Sequence, residues 1–267
     1  MTEFAMKIHR GQPIDDMEII DLHAHLGPYF NMHVPMVSAD DMIVSMDRLG
    51  IDKVVASATP GIYSDLIMGN DLTLEAIRKY PGRFYGACLV NGNFPGLSMD
   101  ELHRCFDDED GFVLIKVHPV LAHCKMDAPE MRKIYEYASE NRLFVLVHTW
   151  YEGDPFGSQD QFAAMAREYP DALWIMGHSG GPFGSRYAVE IAEELPNVFL
   201  DLTLSMCPAQ QIEEFVRCIG SERVVFGTDN PFIDPRPALG RVFLADIERN
   251  DLENIVSGNA KRYIAFD

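Results

Sequence analysis

Eight short apolar runs, spaced along the whole chain and rich in β-branched or aromatic residues, govern what this sequence can fold into. MEIIDLH ends at His23, DKVVASA near Ala58, RFYGACLVN at Asn91 and GFVLIKVH at His118. LFVLVH ends at His148, ALWIMGH at His178, NVFLDLT at Thr203 and RVVFGTD at Asp229. Runs that are apolar almost throughout read as strands buried on both faces, as in a parallel sheet covered by helices. Helical patterns lie between them. Ser38 and Asp41 form a candidate capping box ahead of a helix on which Met42, Ile43, Met46 and Leu49 share one face. Ile134, Tyr135 and Ala138 share a face in the same way, and AVEIAEEL and QIEEFVRCI keep the period. Strand and helix in alternation make a parallel α/β fold. Eight such units favour a closed barrel, which needs roughly 250 residues, and the chain has 267. No GxGxxG opens a helix, so an open dinucleotide-binding sheet gains no support. No linker, repeat or low-complexity run divides the chain. Residues 1–267 therefore read as one domain, an α/β fold with a single (β/α)₈ TIM barrel, ending in a helix broken near Gly258.

The polar residues at the strand ends carry the chemistry. His23 and His25 are two residues apart at the end of the first strand, so both side chains face one side, here the barrel mouth. His148 ends the fifth strand, His178 the sixth and Asp229 the eighth. A barrel gathers the C-terminal ends of its strands into a ring, and catalysis takes place on that face. Histidines and a carboxylate converging there make an N/O site suited to Zn²⁺, Mn²⁺ or Fe²⁺. Taken singly, each residue has a plain structural explanation: a histidine after an apolar strand is usually a satisfied core residue, and Asp229 suits a turn. Four histidines and one aspartate in register with the β/α alternation are not explained that way.

Charge narrows the partners. A net charge of -19 argues against nucleic acid and against anionic membrane surfaces, both of which need clustered Lys and Arg. Five cysteines, Cys88, Cys105, Cys124, Cys207 and Cys218, include no CxxC and read as free thiols in a reducing compartment. The first residues lack the apolar run and cleavage site of a signal peptide, and no apolar stretch reaches the roughly 20 residues of a membrane span. The expected location is cytoplasmic.

The motifs IIDLHAHLG, GFVLIKVHP, VHT, GHSGG and FGTDNPF, in that order, resemble those of the amidohydrolase superfamily. They fit best its amidohydrolase-related branch, which includes aminocarboxymuconate-semialdehyde decarboxylase and its relatives. The closing NIVSGNAKRYIAF is similar to the C-terminal segment of that branch. The resemblance runs from about Ile19 to Phe266 and is specific for superfamily and fold. It is not specific for reaction, because one barrel hosts many chemistries.

The resemblance implies that His23, His25 and His148 ligate a metal. Asp229 would bind it too, or take a proton beside it. His178 would act in acid/base catalysis, or ligate a second metal as in two-metal relatives. The expected cofactor is one divalent ion, Zn²⁺ first, with Mn²⁺ or Fe²⁺ as alternatives and a binuclear site left open. Lys116 has two readings. Two-metal members often carry a bridging, carboxylated lysine at the end of the fourth strand, whereas the KVHP context is similar to the one-metal branch, where a plain ammonium binds substrate carboxylate or pairs with Asp229 or Asp201. We rank the ammonium first. TatD-like nucleases tend to carry Glu at this position, so Lys116 and the acidic charge argue against that kinship.

Residues in the loops after the strands suit a small, partly aromatic or unsaturated substrate: Tyr29, Phe30 and His33, then Asn91, Asn93 and Phe94, then His118 and His123, with Trp150, Tyr151 and Phe232. His118, Trp150 and Arg186 are the candidates for substrate contact. Arg186 either clamps a carboxylate bidentately or lies on the surface at the start of the sixth helix. The leading expectation is a hydrolase of a small carboxylated or cyclic substrate, acting through metal-activated water. The alternative is a lyase, a decarboxylase or hydratase of an unsaturated or aromatic acid. A catalytically silent barrel fits poorly with a complete ligand set. Assembly into a homo-oligomer stays open.

Overall fold

Each apolar run becomes a strand. The computed structural model describes residues 3–150, 153–203 and 208–266. In it β1 (Ile20–Leu26), β2 (Lys53–Ala58), β3 (Phe84–Val90), β4 (Phe112–Val117), β5 (Phe144–His148), β6 (Leu173–Gly177), β7 (Val198–Asp201) and β8 (Val224–Val225) lie side by side in chain order. Every neighbouring pair is parallel, and helices connect them. This is the (β/α)₈ TIM barrel that the alternation predicts.

Local signals behave as their chemistry requires. Ser38 caps the helix Ala39–Leu49 reciprocally with Asp41, and Met42 and Met46 turn inward from it. Gly50 ends that helix at φ 82°, where a Cβ would run into the Ile14 backbone, so only glycine fits. Most strands end within two residues of the sequence reading, and two differ by more. β1 continues past His23 to Leu26, and β8 stops at Val225, which leaves Asp229 in the loop beyond it. The helix Glu3–Arg10 was not anticipated; Phe4 on it meets Phe243 with ring centroids 5.0 Å apart.

The apolar core has two shells. Ile20, Leu22, Val55, Tyr85, Leu114, Phe144, Leu146, Ile175, Phe199 and Val225 fill the barrel, and a second set joins the outer strand faces to the helices. The chain's end plugs one mouth. Tyr263 packs on Phe144 and Phe199, and Phe266 on Tyr85. The break near Gly258 is a π-helical turn, Asn254–Gly258, after which the buried Asn259 amide donates to the Ser221 and Val224 carbonyls, 2.7 Å each. With that end sealed by apolar rings, the polar residues are left to the other. Cys88, Cys105, Cys124 and Cys218 are free thiols; Cys207 lies outside the described residues. Among the described residues no helix is long and apolar enough to cross a membrane.

Candidate active site

The first strand aims its histidines by means of an irregularity. Ile20 and Leu22 point into the barrel, whereas Ala24 and Leu26 belong to the outer shell. Strict alternation cannot give both. The register resolves it: Asp21 pairs with Val54 and Ala24 with Ala56, so Leu22 and His23 together oppose one residue, Val55. This β-bulge flips the parity and brings His23 and His25 inward. His23 and His25 share one face, and Leu22 shares it with them.

Seven strand ends supply the cluster. His23 Nδ1 meets Asp201 Oδ2 at 2.7 Å, which fixes the ring and leaves Nε2 facing the mouth. Asp229 Oδ1 lies 3.6 Å from His23 Nε2 and 3.1 Å from His25 Nε2. His25 Nδ1 is 3.3 Å from Ser57 Oγ. His178 directs Nδ1 to the Thr203 carbonyl at 2.8 Å and Nε2 to His148 Nδ1 at 3.0 Å. Lys116 Nζ donates to His23 Nε2 at 2.6 Å. Asp229 and His178 both hold left-handed backbones, φ 63° and 62°, a conformation that non-glycine residues adopt at a cost.

The donor set fits a divalent cation. One atom each from His23, His178 and Asp229 can be chosen so that all lie within 4.8 Å of one another, and His25 adjoins them through Asp229. The imidazoles of His23, His25 and His178 are each backed by a side-chain or carbonyl oxygen, as metal-binding histidines usually are. His148 adjoins the group through His178.

The electrostatics suit the same purpose. Burial, helped by Lys116, pushes His23 down to about 3, so the ring is neutral with a lone pair to offer. Burial also lowers His25, His118 and His148. Burial would raise Asp229, but the His25 contact and the surrounding imidazoles outweigh it and hold the carboxyl well below its usual range. Asp201 is lowered against the same burial penalty by His23 and Thr203. Burial brings Lys116 down to about 8, opposed by Asp229 and Asp201.

The remaining candidates separate into two groups. His118 stacks on His148 with centroids 3.9 Å apart, and Trp150 lies parallel to His148 at 5.9 Å. Phe232 stacks on His25 at 4.9 Å, and Tyr29 meets Phe232 at 4.8 Å. These line the mouth. Arg186 does not join them. It is exposed, bound to Glu190 at 3.0 Å and within 3.8 Å of Glu214, so its guanidinium is committed along the outer helices and the carboxylate clamp is set aside. Tyr151 lies outside the described residues. The sequence reading named Asp201 only as a partner for Lys116; its bond to His23 was missed. Its place near the end of NVFLDLT, where Thr203 also stands, was the available signal. Asp21 and Ser57 gave none.

Solved structures with similar folds include three decarboxylases. One is 2,6-dihydroxybenzoate decarboxylase from Rhizobium, at 19% identity and TM-score 0.73 over 92% of this chain and 98% of that one. Another is 5-carboxyvanillate decarboxylase from Novosphingobium aromaticivorans, complexed with manganese and 4-hydroxy-3-methoxy-5-nitrobenzoic acid. It shows 16% identity and TM-score 0.74 over 93% of this chain and 96% of that one. The third is a dihydroxybenzoic acid decarboxylase from a Polaromonas species with bound manganese and the inhibitor 2-nitroresorcinol, at 19% identity and TM-score 0.70 over 92% and 96%. At these identities the likeness is one of fold. The amidohydrolase family model matches residues 20–266, nearly the whole chain, and the chain belongs to that family of metal-dependent enzymes.

Proposed function

We propose that the protein is a metal-dependent lyase that removes CO₂ from a small planar acid, aromatic or unsaturated. The observation that carries this reading is the pair of aromatic walls beside the donor cluster. Phe232, extended by Tyr29, stacks on His25, and Trp150 lies parallel to His148 with only 7° between the planes. Flat walls beside the donors favour a flat substrate. The three similar folds named above, among others, are decarboxylases of aromatic acids, which supports the same choice.

His23, His25, His148 and Asp229 would hold one cation, with His178 beside it. A divalent ion there supplies Lewis acidity toward a substrate oxygen. The chain's own residues do the rest. The Lys116 ammonium pairs with an anionic group of the substrate, while the aromatic walls orient the ring and exclude water. His178 has Nδ1 committed to Thr203, so Nε2 is the atom that exchanges a proton, with His148 next in line. The proton goes to the carbon bearing the carboxylate. The bond between them breaks, its electron pair stays on that carbon as the new C–H bond, and CO₂ leaves. Manganese is tested first, since two of the similar enzymes hold it, and zinc beside it.

Hydrolysis, favoured by the sequence alone, ranks second. The Asp229 carboxylate beside His23 and His25 is the observation in its favour, because a carboxylate placed there can take a proton from water. The two readings part on products. With hydroxybenzoates and unsaturated acids in heavy water, the lyase releases one CO₂ per substrate and leaves one deuterium at the vacated carbon. Turnover of a lactone or amide to a product carrying the elements of water, with no CO₂ from any acid, overturns it. One cation per chain with a plain Lys116 amine is part of the reading; two per chain bridged through Lys116 would replace that part.

A further inference from the structure

The ligands face the mouth only because the β1 bulge flips the strand's parity, and a bulge needs something to hold it. It lies at the barrel's seam. Among the described residues β8 and β1 share no regular ladder, and backbone hydrogen bonds close the gap. Leu22 N–H donates to the Phe226 carbonyl at 3.0 Å and Asp229 N–H to the His23 carbonyl at 2.8 Å. His25 N–H donates to the Asn230 carbonyl at 2.7 Å. One side chain bridges the two edges at this level. Asp21 Oδ1 accepts from His23 N–H on its own strand and from Thr228 N–H across the seam, 3.1 Å each. Asp21 Oδ2 shares a hydrogen bond with the Thr228 hydroxyl, whose oxygen also accepts from Asn230 N–H at 3.1 Å.

The chain of bonds thus runs from the amide of one ligand, His23, to both neighbours of another, Asp229. Asp229 holds its left-handed backbone between Thr228 and Asn230, and both of those residues are tied to Asp21 directly or through the hydroxyl. Asp21 and Thr228 are each 1% exposed, so these bonds have little competition from water. A strained conformation persists only where its surroundings over-determine it.

We propose that Asp21 and Thr228 are positioning residues for the metal centre. They fix the inward turn of His23 and the left-handed turn of Asp229 in one network, and so set the separation of two ligands from opposite sides of the seam. Neither reaches the cation. The proposal rests on the metal-dependent family and not on the reaction assigned above.

The test reads metal, not turnover. Mn²⁺ affinity is measured by competition with a fluorescent chelator on the full chain and on Thr228→Val, Thr228→Ser and Asp21→Val. The EPR spectrum of the bound ion and the melting temperature of the chelator-treated proteins are recorded beside it. Thr228→Val keeps the shape and loses the hydroxyl. Asp21→Val removes both oxygens that the His23 and Thr228 groups meet. Both should bind Mn²⁺ roughly 10–100-fold more weakly, the range for lost outer partners of metal ligands. Their EPR spectra should be altered, while Thr228→Ser stays near the parent in both. If Asp21→Val yields no folded protein, Thr228→Val decides. Mn²⁺ affinity within about threefold of the parent and an unchanged spectrum in Thr228→Val would overturn the proposal, whatever happens to melting.

Discussion

At the scale of single residues, the site works by giving each nitrogen one task. His23 commits Nδ1 to Asp201 and turns Nε2, which accepts from Lys116, toward the mouth, and His178 commits Nδ1 to Thr203. Replacing His23 and His25 together with Ala should abolish tight metal binding; a variant that keeps one equivalent after dialysis would break the assignment. His178→Asn should keep most of the metal and lower kcat by roughly 10²–10⁴-fold, as expected for a lost acid/base group. Because His178 also stands within the donor cluster, metal content decides its role. Loss of metal in proportion to activity would make it a ligand, and unchanged kcat at saturation a bystander. These residues were legible because each ends an apolar run. Asp21 was not, since it sits within such a run and its partner Thr228 lies 207 positions away. Arg186 misled for the opposite reason. Its place after GHSGG fits a substrate clamp, but its partners Glu190 and Glu214 lie along the outer helices, and motif spacing carries no information about them.

At the scale of elements, close approach of strands matters as much as the side chains they carry. Gly227 follows β8 and faces the seam. A Cβ there would lie 2.6 Å from Asp201 Oδ1 and 2.8 Å from His23 Cβ, and would also strike the Thr203 hydroxyl. None of these neighbours is the free end of a flexible chain. Gly227→Ala should therefore push Asp201 away from His23 and weaken Mn²⁺ binding roughly 10–100-fold. Overpacking should cost about 1–3 kcal/mol of stability as well. Both are read in one metal titration and one denaturant melt, and full metal affinity in Gly227→Ala would mean that the Asp201 contact does not tune the site. The eight strands, their order and the capped helix at Ser38 were legible because burial on both faces and capping chemistry leave local patterns. The bulge was not. It is a choice of register between β1 and β2, and either register is compatible with the letters of β1 alone.

At the scale of the whole molecule, the barrel buries several imidazoles that an unfolded chain would leave free to take protons. In the metal-free protein burial lowers His23 to about 3 and also lowers His25, His118 and His148. A depressed folded pKa means stability that is full above the unfolded value of about 6.5 and is lost as pH falls toward the folded one. Asp21 works the other way. Burial raises it to about 8, so below that pH the folded chain holds a proton that the unfolded chain has released. Four imidazoles outweigh one carboxyl, so between about pH 6.5 and 5 the unfolded chain binds more protons and stability falls with pH. The net charge of -19 opposes this only weakly, because ordinary surface carboxylates, at about 4, stay ionised throughout that window and repulsion is barely relieved. Chelator-treated protein should therefore melt at a lower temperature at pH 5 than at pH 7. Saturating Mn²⁺ should steepen the difference, since protons and metal compete for the same lone pairs. A melting temperature at pH 5 equal to or above that at pH 7 without metal would show that the cluster is not held neutral in the folded chain, and the ligand role of its histidines would lose its electrostatic basis.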